Sequence, residues 1–215
     1  MKRFLFFLAY VLTPIPPMVL YLQALGTMSI DGYSLSVILG IVAITLISNQ
    51  FILASRPRFA IQALGLQGLL AFHGIMAMLA VLVAIVHMVL KLTSGFPASS
   101  LQAILGIVVL AIFAIVVVLA VMFLAKVPER VATKARALRA RAKEKFGLDY
   151  GRARVYHNIS VGAGLAILIH ALLAYSSDFT LNPIGASWLI AWMTLSLGLY
   201  ARYRIRGRKI SASRP

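Results

Sequence analysis

Residues 73–87 read HGIMAMLAVLVAIVH, an apolar segment with a histidine at each end. A helix rises about 1.5 Å per residue, so the fourteen steps from His73 to His87 separate the two rings by roughly 21 Å. That is most of the hydrocarbon core of a bilayer, which is roughly 30 Å thick. The segment therefore predicts a membrane-spanning helix that carries two ionisable rings at different depths.

The composition of the whole chain indicates a membrane protein. Of its 215 residues 61% are hydrophobic and 12% charged, and the mean hydropathy is +0.94. The apolar residues occur in long blocks with no two-residue period, and backbone groups in lipid must be hydrogen-bonded internally, which favours helices over a barrel. The expected fold class is an all-α integral membrane protein, a bundle of six transmembrane helices. The predicted spans, each close to the roughly 20 residues that crossing requires, are 4–23, 34–54, 69–92, 101–125, 157–176 and 184–203.

The first span has two interpretations. Lys2 and Arg3 before FLFFLAYVL resemble the start of a signal peptide, but Pro14, Pro16 and Pro17 interrupt the apolar run. No clear A-x-A cleavage site follows. We favour a retained, kinked helix, and a cleaved signal peptide is the alternative.

The basic residues predict the orientation of the bundle. The net charge is +16, and the Lys and Arg residues lie at the N-terminus, in alternate connections and in the C-terminal tail. Lys91, Asp31 and Asp178 fall on the opposite side. The positive-inside rule then places both termini and the long fourth connection in the cytoplasm. Because these residues form no soluble basic domain, we expect anionic lipid at the cytoplasmic face as their partner and no nucleic acid.

The expected organisation is a single transmembrane domain, 1–209, followed by a short cytoplasmic tail, 210–215. Within it, 126–156 forms a basic cytoplasmic loop. One helical face of this loop is apolar and Lys and Arg surround it, which predicts an amphipathic helix on the inner surface. Lipid anchoring is the favoured role, and docking of an acidic redox partner is the alternative. The apolar face consists of Val131, Ala135, Leu138, Ala142 and Phe146.

The chain has four histidines, and they fall in two spans. His73 and His87 lie in the third span, and His157 and His170 lie in the fifth. Both spans run outward from the cytoplasm, so His73 and His157 share the inner level while His87 and His170 share the outer. Two neutral imidazoles at each depth suit the axial positions of haem iron, and an apolar macrocycle suits the space between helices.

Zinc binding and helix packing account for the histidines less well than haem does. Zinc needs more ligands than two histidines per level, and no Cys, Asp or Glu lies at those depths. The chain has no cysteine at all, which excludes disulfides and iron–sulfur ligation. Each histidine alone is explained by helix packing, but intramembrane ionisable groups are costly and usually functional. The alternative to a haem protein is a haem-free small transporter or scaffold whose histidines serve helix packing.

The spacing within the fifth span conflicts with ideal helical geometry. Fourteen steps return to within roughly 40° of the same helix face, whereas the thirteen steps from His157 to His170 miss it by about 140°. Gly162 and Gly164 would permit a kink or local unwinding, or His157 would lie on a non-helical entry to the span. Close helix packing is the alternative role of the two glycines.

The segments HGIMAMLAVLVAIVH and YHNISVGAGLAILIH, with the long basic loop between them, resemble the ferric reductase-like transmembrane domain. That domain is the six-helix haem core of ferric reductases, NADPH oxidases and the haem subunit of bacterial methionine sulfoxide reductase systems. The resemblance covers about residues 4–203. It implies two b-type haems, the inner held by His73 and His157 and the outer by His87 and His170. No C-x-x-C-H motif exists, so the haems would not be covalently attached.

The same resemblance implies transfer of electrons from a cytoplasmic flavin to an external acceptor. Self-sufficient members continue into flavin and nicotinamide domains, but this sequence ends at RYRIRGRKISASRP without a glycine-rich phosphate loop. We therefore expect an electron-transfer subunit of an oxidoreductase, with no catalytic residue of its own. Its donor would be a flavoprotein reductase carrying FAD or FMN, or membrane quinol. The expected location is the bacterial inner membrane, as a multi-pass protein.

Five basic residues flank the predicted haem sites: Arg56, Arg58, Arg152 and Arg154 on the inner side and Lys91 on the outer. Each haem brings two propionates, and arginine suits paired carboxylate oxygens. These residues are candidates for binding the propionates. The alternative is that they serve only as topology signals.

Overall fold

A computed structural model describes residues 1–25, 31–124, 129–174 and 177–212. Within them the chain is helical and contains no strand. A π-helical turn, Ala120–Leu124, continues the fifth helix. The helices are α1 (Lys2–Leu12), α2 (Ile15–Leu25), α3 (Gly32–Ala54), α4 (Arg58–Thr93), α5 (Leu101–Leu119), α6 (Glu129–Phe146), α7 (Tyr150–His157), α8 (Ile159–Leu172) and α9 (Pro183–Ala212).

Six helical segments in the described ranges are long and apolar enough to cross a membrane, which confirms the predicted number. Large apolar side chains are exposed on their outward faces, as expected for helices in contact with lipid. The chain is thus an all-helical, multi-pass membrane protein. The segments are Lys2–Leu25, Gly32–Ala54, Arg58–Thr93, Leu101–Leu124, Tyr150–Leu172 and Pro183–Arg206.

Two predicted boundaries are wrong. The third span begins at Arg58 rather than 69, because α4 continues through a kink at Gly65. Gly65 has φ 69°, which a glycine adopts without the clash that a Cβ would cause. The fifth span begins at Tyr150 rather than 157, because the short helix α7 precedes α8. The predicted ends of the fourth and fifth spans, 125 and 176, lie outside the described residues.

The first span is interrupted where its prolines begin. α1 ends at Leu12 and α2 begins at Ile15. The Thr13 hydroxyl donates to the Tyr10 carbonyl (2.7 Å) and accepts from Asn49 Nδ2 (2.7 Å). Trp192 Nε1 in turn donates to Asn49 Oδ1 (3.0 Å). This buried network joins α1, α3 and α9.

The helix α3 lies at the centre of the bundle. In its most apolar part 72% of the residues are buried, against at most 28% in the other five spans. It packs most extensively against α4 and α9, while α5 packs against α8. The two histidine-bearing segments are therefore positioned by different neighbours, α4 by α3 and α8 by α5.

The predicted basic amphipathic helix is present as α6. Its Ala142 is buried in a small apolar cluster with Phe123 of the π-helical turn, and Arg139 Nε donates to the Met122 carbonyl (2.6 Å). These contacts attach α6 to the C-terminal end of α5. The Val131 side chain lies outside the described residues. Two members of the predicted apolar face are exposed, Leu138 and Phe146.

Candidate functional site

The four histidines form two pairs inside the bundle. The ring centres of His73 and His157 are 6.2 Å apart, with their planes at 75°. Those of His87 and His170 are 6.3 Å apart, at 83°. The structure thus brings together the same partners that share a level in the sequence-based topology.

The separation within each pair fits a metal ion between two imidazoles. A metal–nitrogen bond of about 2.0 Å and a further ~1.1 Å from nitrogen to ring centre, on both sides, give about 6.2 Å between centres. A direct hydrogen bond between the rings, with nitrogens about 2.9 Å apart, would bring the centres to about 5.1 Å. The observed 6.2 and 6.3 Å are compatible with the metal-bridged spacing, and they also lie within the roughly 4.5–7 Å of directly packed rings.

The outer pair is oriented by backbone carbonyls of the neighbouring helices. Nδ1–H of His87 donates to the Ser36 carbonyl of α3 (2.6 Å), and Nδ1–H of His170 donates to the Gln102 carbonyl of α5 (2.8 Å). Such bonds fix the tautomer and leave the Nε2 lone pair as the ligand, which is the usual arrangement of metal-binding histidines.

The inner pair is held differently. Nδ1 of His73 and Nδ1 of His157 are buried, and within the described ranges neither has a hydrogen-bond partner of good geometry. Gln50, fourteen residues after Ser36 on α3, lies at the level of His73 and lines the same cavity. His73 interacts with the backbone of Gln50, so α3 helps to orient its ring, whereas no hydrogen-bond partner of Nδ1 is described for His157.

A helix break at Asn158 accommodates the thirteen-residue spacing. His157 is the last residue of α7 and Ile159 the first of α8, and the Ser160 hydroxyl donates to the His157 carbonyl (2.6 Å). The break allows His157 and His170 to face the same partner helix. The break is therefore not at the two glycines. His157 precedes α8, as the second alternative expected, but it is the last residue of the helix α7 and does not lie on a non-helical entry.

The two glycines of α8 have different surroundings. A Cβ on Gly164 would lie 2.9 Å from the ring of Phe51, whereas one on Gly162 would meet nothing within 4 Å. Gly164 thus permits close helix packing, the second role that the sequence suggested for these glycines. Gly162 lies in open space.

Two further glycines adjoin the outer histidines, and the sequence analysis missed both. A Cβ on Gly40 of α3 would lie 2.9 Å from His87 Cε1, and one on Gly106 of α5 would lie 2.5 Å from His170 Cε1. Each imidazole therefore rests against bare backbone. The available signal was a glycine in the middle of an apolar span, which alone does not reveal the partner.

Each histidine pair lines a cavity. The outer cavity has about 680 Å³ and the inner about 570 Å³ of non-protein space, including their open mouths. The walls are predominantly apolar. Three residues line both cavities and separate one from the other: Ile47, Val81 and Phe113.

The five predicted propionate-binding residues divide into two groups. Lys91 is buried and lines the outer cavity beside His87 and His170. The four arginines are exposed at the surface, and the residues that line the inner cavity do not include them. The arginines are Arg56, Arg58, Arg152 and Arg154.

The fold and the site together define a helical membrane protein with two paired-imidazole sites, one above the other along the bundle. In the part of the chain that the structure describes, no three His, Asp or Glu side chains come together as ligands for a metal ion. Comparison with protein-family models, curated proteins and solved structures gave no match.

Proposed function

We propose that this chain is a transmembrane b-type cytochrome that moves electrons from a cytoplasmic or membrane donor to an external acceptor. The observation that carries the proposal is the pair of imidazole–imidazole separations, 6.2 and 6.3 Å, at two depths. Haem needs only two protein ligands, because its macrocycle supplies four nitrogens. A protein zinc site takes three or four side-chain ligands, so the donor set fits haem better.

The chain's own groups would hold and shield the cofactor. His87 and His170 present Nε2 to the outer cavity, and His73 and His157 supply the inner imidazoles. The predominantly apolar walls exclude water and suit a macrocycle. When bound, each haem would supply one-electron transfer, and the two imidazoles of each pair would hold it. We therefore propose no catalytic residue and no bond-making chemistry, with iron as the bound metal.

Partners and location follow from the same proposal. The donor would be a cytoplasmic flavoprotein that carries FAD or FMN, or membrane quinol, and the acceptor would lie outside. Anionic lipid would bind the basic residues at the cytoplasmic face, in a bacterial inner membrane. Membership of the ferric reductase-like transmembrane domain family belongs to this proposal too.

The first prediction concerns the purified, detergent-solubilised protein. A pyridine haemochrome assay should give about two haem b per chain, and dithionite should produce the bands of low-spin b haem. The reduced protein should pass electrons to a ferric chelate, while NADPH alone should leave the oxidised protein unchanged. Folded, pure and colourless protein would overturn the proposal and support a packing role for the histidines.

The second prediction concerns orientation. Reporter fusions after residue 140 and after the last residue should report cytoplasm, whereas fusions at Ser99 and Asp178 should report the exterior. The reason is that Lys and Arg concentrate at the termini and in the connections that are expected to face the cytoplasm. A cytoplasmic Ser99 would invert the proposed direction of electron transfer while leaving the haem sites intact.

A further inference from the structure

Lys91 is a buried cation without an acidic partner. Its relative exposure is 7%, and no Asp or Glu of the described residues lies within ion-pair distance. Lys91 Nζ lies 3.6 Å from the ring centre of Tyr33 and 4.7 Å from that of Phe96. An ionisable group buried in a membrane protein is costly and generally marks a functional site.

The aromatic rings stabilise the charge but leave its hydrogen-bonding capacity unused. Tyr33 of α3 and Phe96 of the α4–α5 connection attract the ammonium through their π-systems. An ammonium group has three N–H donors, and the structure gives Lys91 Nζ no hydrogen-bond acceptor among the described side chains and carbonyls. Nζ is not among the fully enclosed polar atoms without a partner, so the ammonium group is accessible to an oxygen ligand.

Among the described residues, Lys91 is also the only charged one that lines the outer cavity. The other polar residues there are the two histidines and Gln102, and the Gln102 carbonyl already accepts from His170. An anionic oxygen forms the strongest hydrogen bond with an ammonium, and carboxylate is the anion that most simply suits one lysine in an apolar wall.

We propose that Lys91 binds a carboxylate inside the outer cavity, an inference that rests on the proposed function of this cavity as a haem site. The carboxylate has two possible sources with the same chemistry. One is a propionate of a haem held by His87 and His170. The other is an external acceptor that carries carboxylates and enters the mouth of the cavity.

The test compares three variants of the full chain in detergent. Lys91→Met removes the charge but keeps a flexible apolar side chain of similar length, and Lys91→Arg restores the charge. Lys145→Met is the matched control, because Lys145 also lies near an aromatic ring, that of Phe146 (5.4 Å), but is exposed on α6. Two quantities are measured: the haem reduction potentials, and KM for ferric citrate against cationic hexaammineruthenium(III).

If the ligand is a propionate, Lys91→Met lowers the reduction potential of the outer haem by about 59 mV, which is a tenfold shift toward the oxidised form for one electron. Lys91→Arg, which keeps the positive charge, leaves the potential near that of the unmodified protein. If the ligand is an acceptor, the potentials stay unchanged and KM for ferric citrate rises about fivefold or more, while KM for the cationic acceptor does not. Either result supports the site.

Two haems with unchanged potentials and unchanged KM values in Lys91→Met would overturn the carboxylate site and leave the proposed cytochrome standing. An equal effect of Lys145→Met would also overturn it, because the effect would then be one of overall charge. Absence of haem from the unmodified protein would instead refute the cytochrome and the Lys91 site with it.

Discussion

Replacing His87 by alanine is expected to lower the haem content of the purified protein from about two haems per chain to about one. The variant removes one of the two imidazoles of the outer pair, whose ring centres are 6.3 Å apart, and a site built on two iron ligands holds a non-covalent haem less firmly when one of them is lost. The inner pair lies roughly 21 Å away along α4 and keeps both ligands. The pyridine haemochrome assay gives the ratio of haem to protein.

The four histidine variants form a matched set. His170→Ala should resemble His87→Ala, because the two rings face one cavity. His73→Ala and His157→Ala should remove the inner haem and leave the outer one. The reduced spectra of these two variants should therefore match each other and differ from the spectra of His87→Ala and His170→Ala. Met88→Leu is the control, since Met88 lines the outer cavity and carries no ligand nitrogen. Equal loss of all haem from every histidine variant would establish only a role in folding.

Replacing Gly106 by alanine is expected to remove the outer haem without touching a ligand. The added Cβ would lie 2.5 Å from His170 Cε1 and 2.8 Å from its Nδ1, closer than real atoms approach. The ring must move, and the hydrogen bond from Nδ1 to the Gln102 carbonyl (2.8 Å) must lengthen or break. That bond orients the ligand, so the haem content should fall to about one per chain, with the inner spectrum retained.

The control for this substitution is Gly162→Ala on α8. A Cβ there meets nothing within 4 Å, and alanine stabilises a helix interior by about 1 kcal/mol relative to glycine. Its haem content should be unchanged and its thermal midpoint equal or higher. If Gly106→Ala also keeps both haems with unshifted spectra, the close approach of α5 to His170 does not orient the ligand.

The sequence determined the features that are local along the chain. Spanning length and hydropathy are properties of single segments, so the six spans were predictable, including the interruption between α1 and α2 where the prolines begin. The fourteen-residue step from His73 to His87 places both rings on one face of α4 because helical periodicity is fixed. The positive-inside rule gives the third and fifth spans the same direction across the membrane, so the pairing of His73 with His157 and of His87 with His170 by depth was also predictable.

Only the tertiary structure decided how the fifth span is broken. The thirteen-residue spacing required an irregularity, and sequence pointed to flexible glycines. The break instead lies at Asn158, next to α7, which packs on the π-helical turn and buries Ala153 there. α7 and the π-helical turn lie about thirty residues apart in the sequence, and no local pattern reports their contact.

Contacts between distant segments also distinguish Lys91 from the four arginines, and Gly106 from the other glycines. In the sequence all five basic residues flank histidines alike, but only Lys91 is enclosed, by Tyr33 of α3 and Phe96 after α4. The role of Gly106 is visible only in the folded bundle, where His170 of α8 lies against it. Helix formation and membrane insertion depend on neighbours along the chain, whereas burial of a charge or the fit of a ring depends on helices that meet only in the folded bundle.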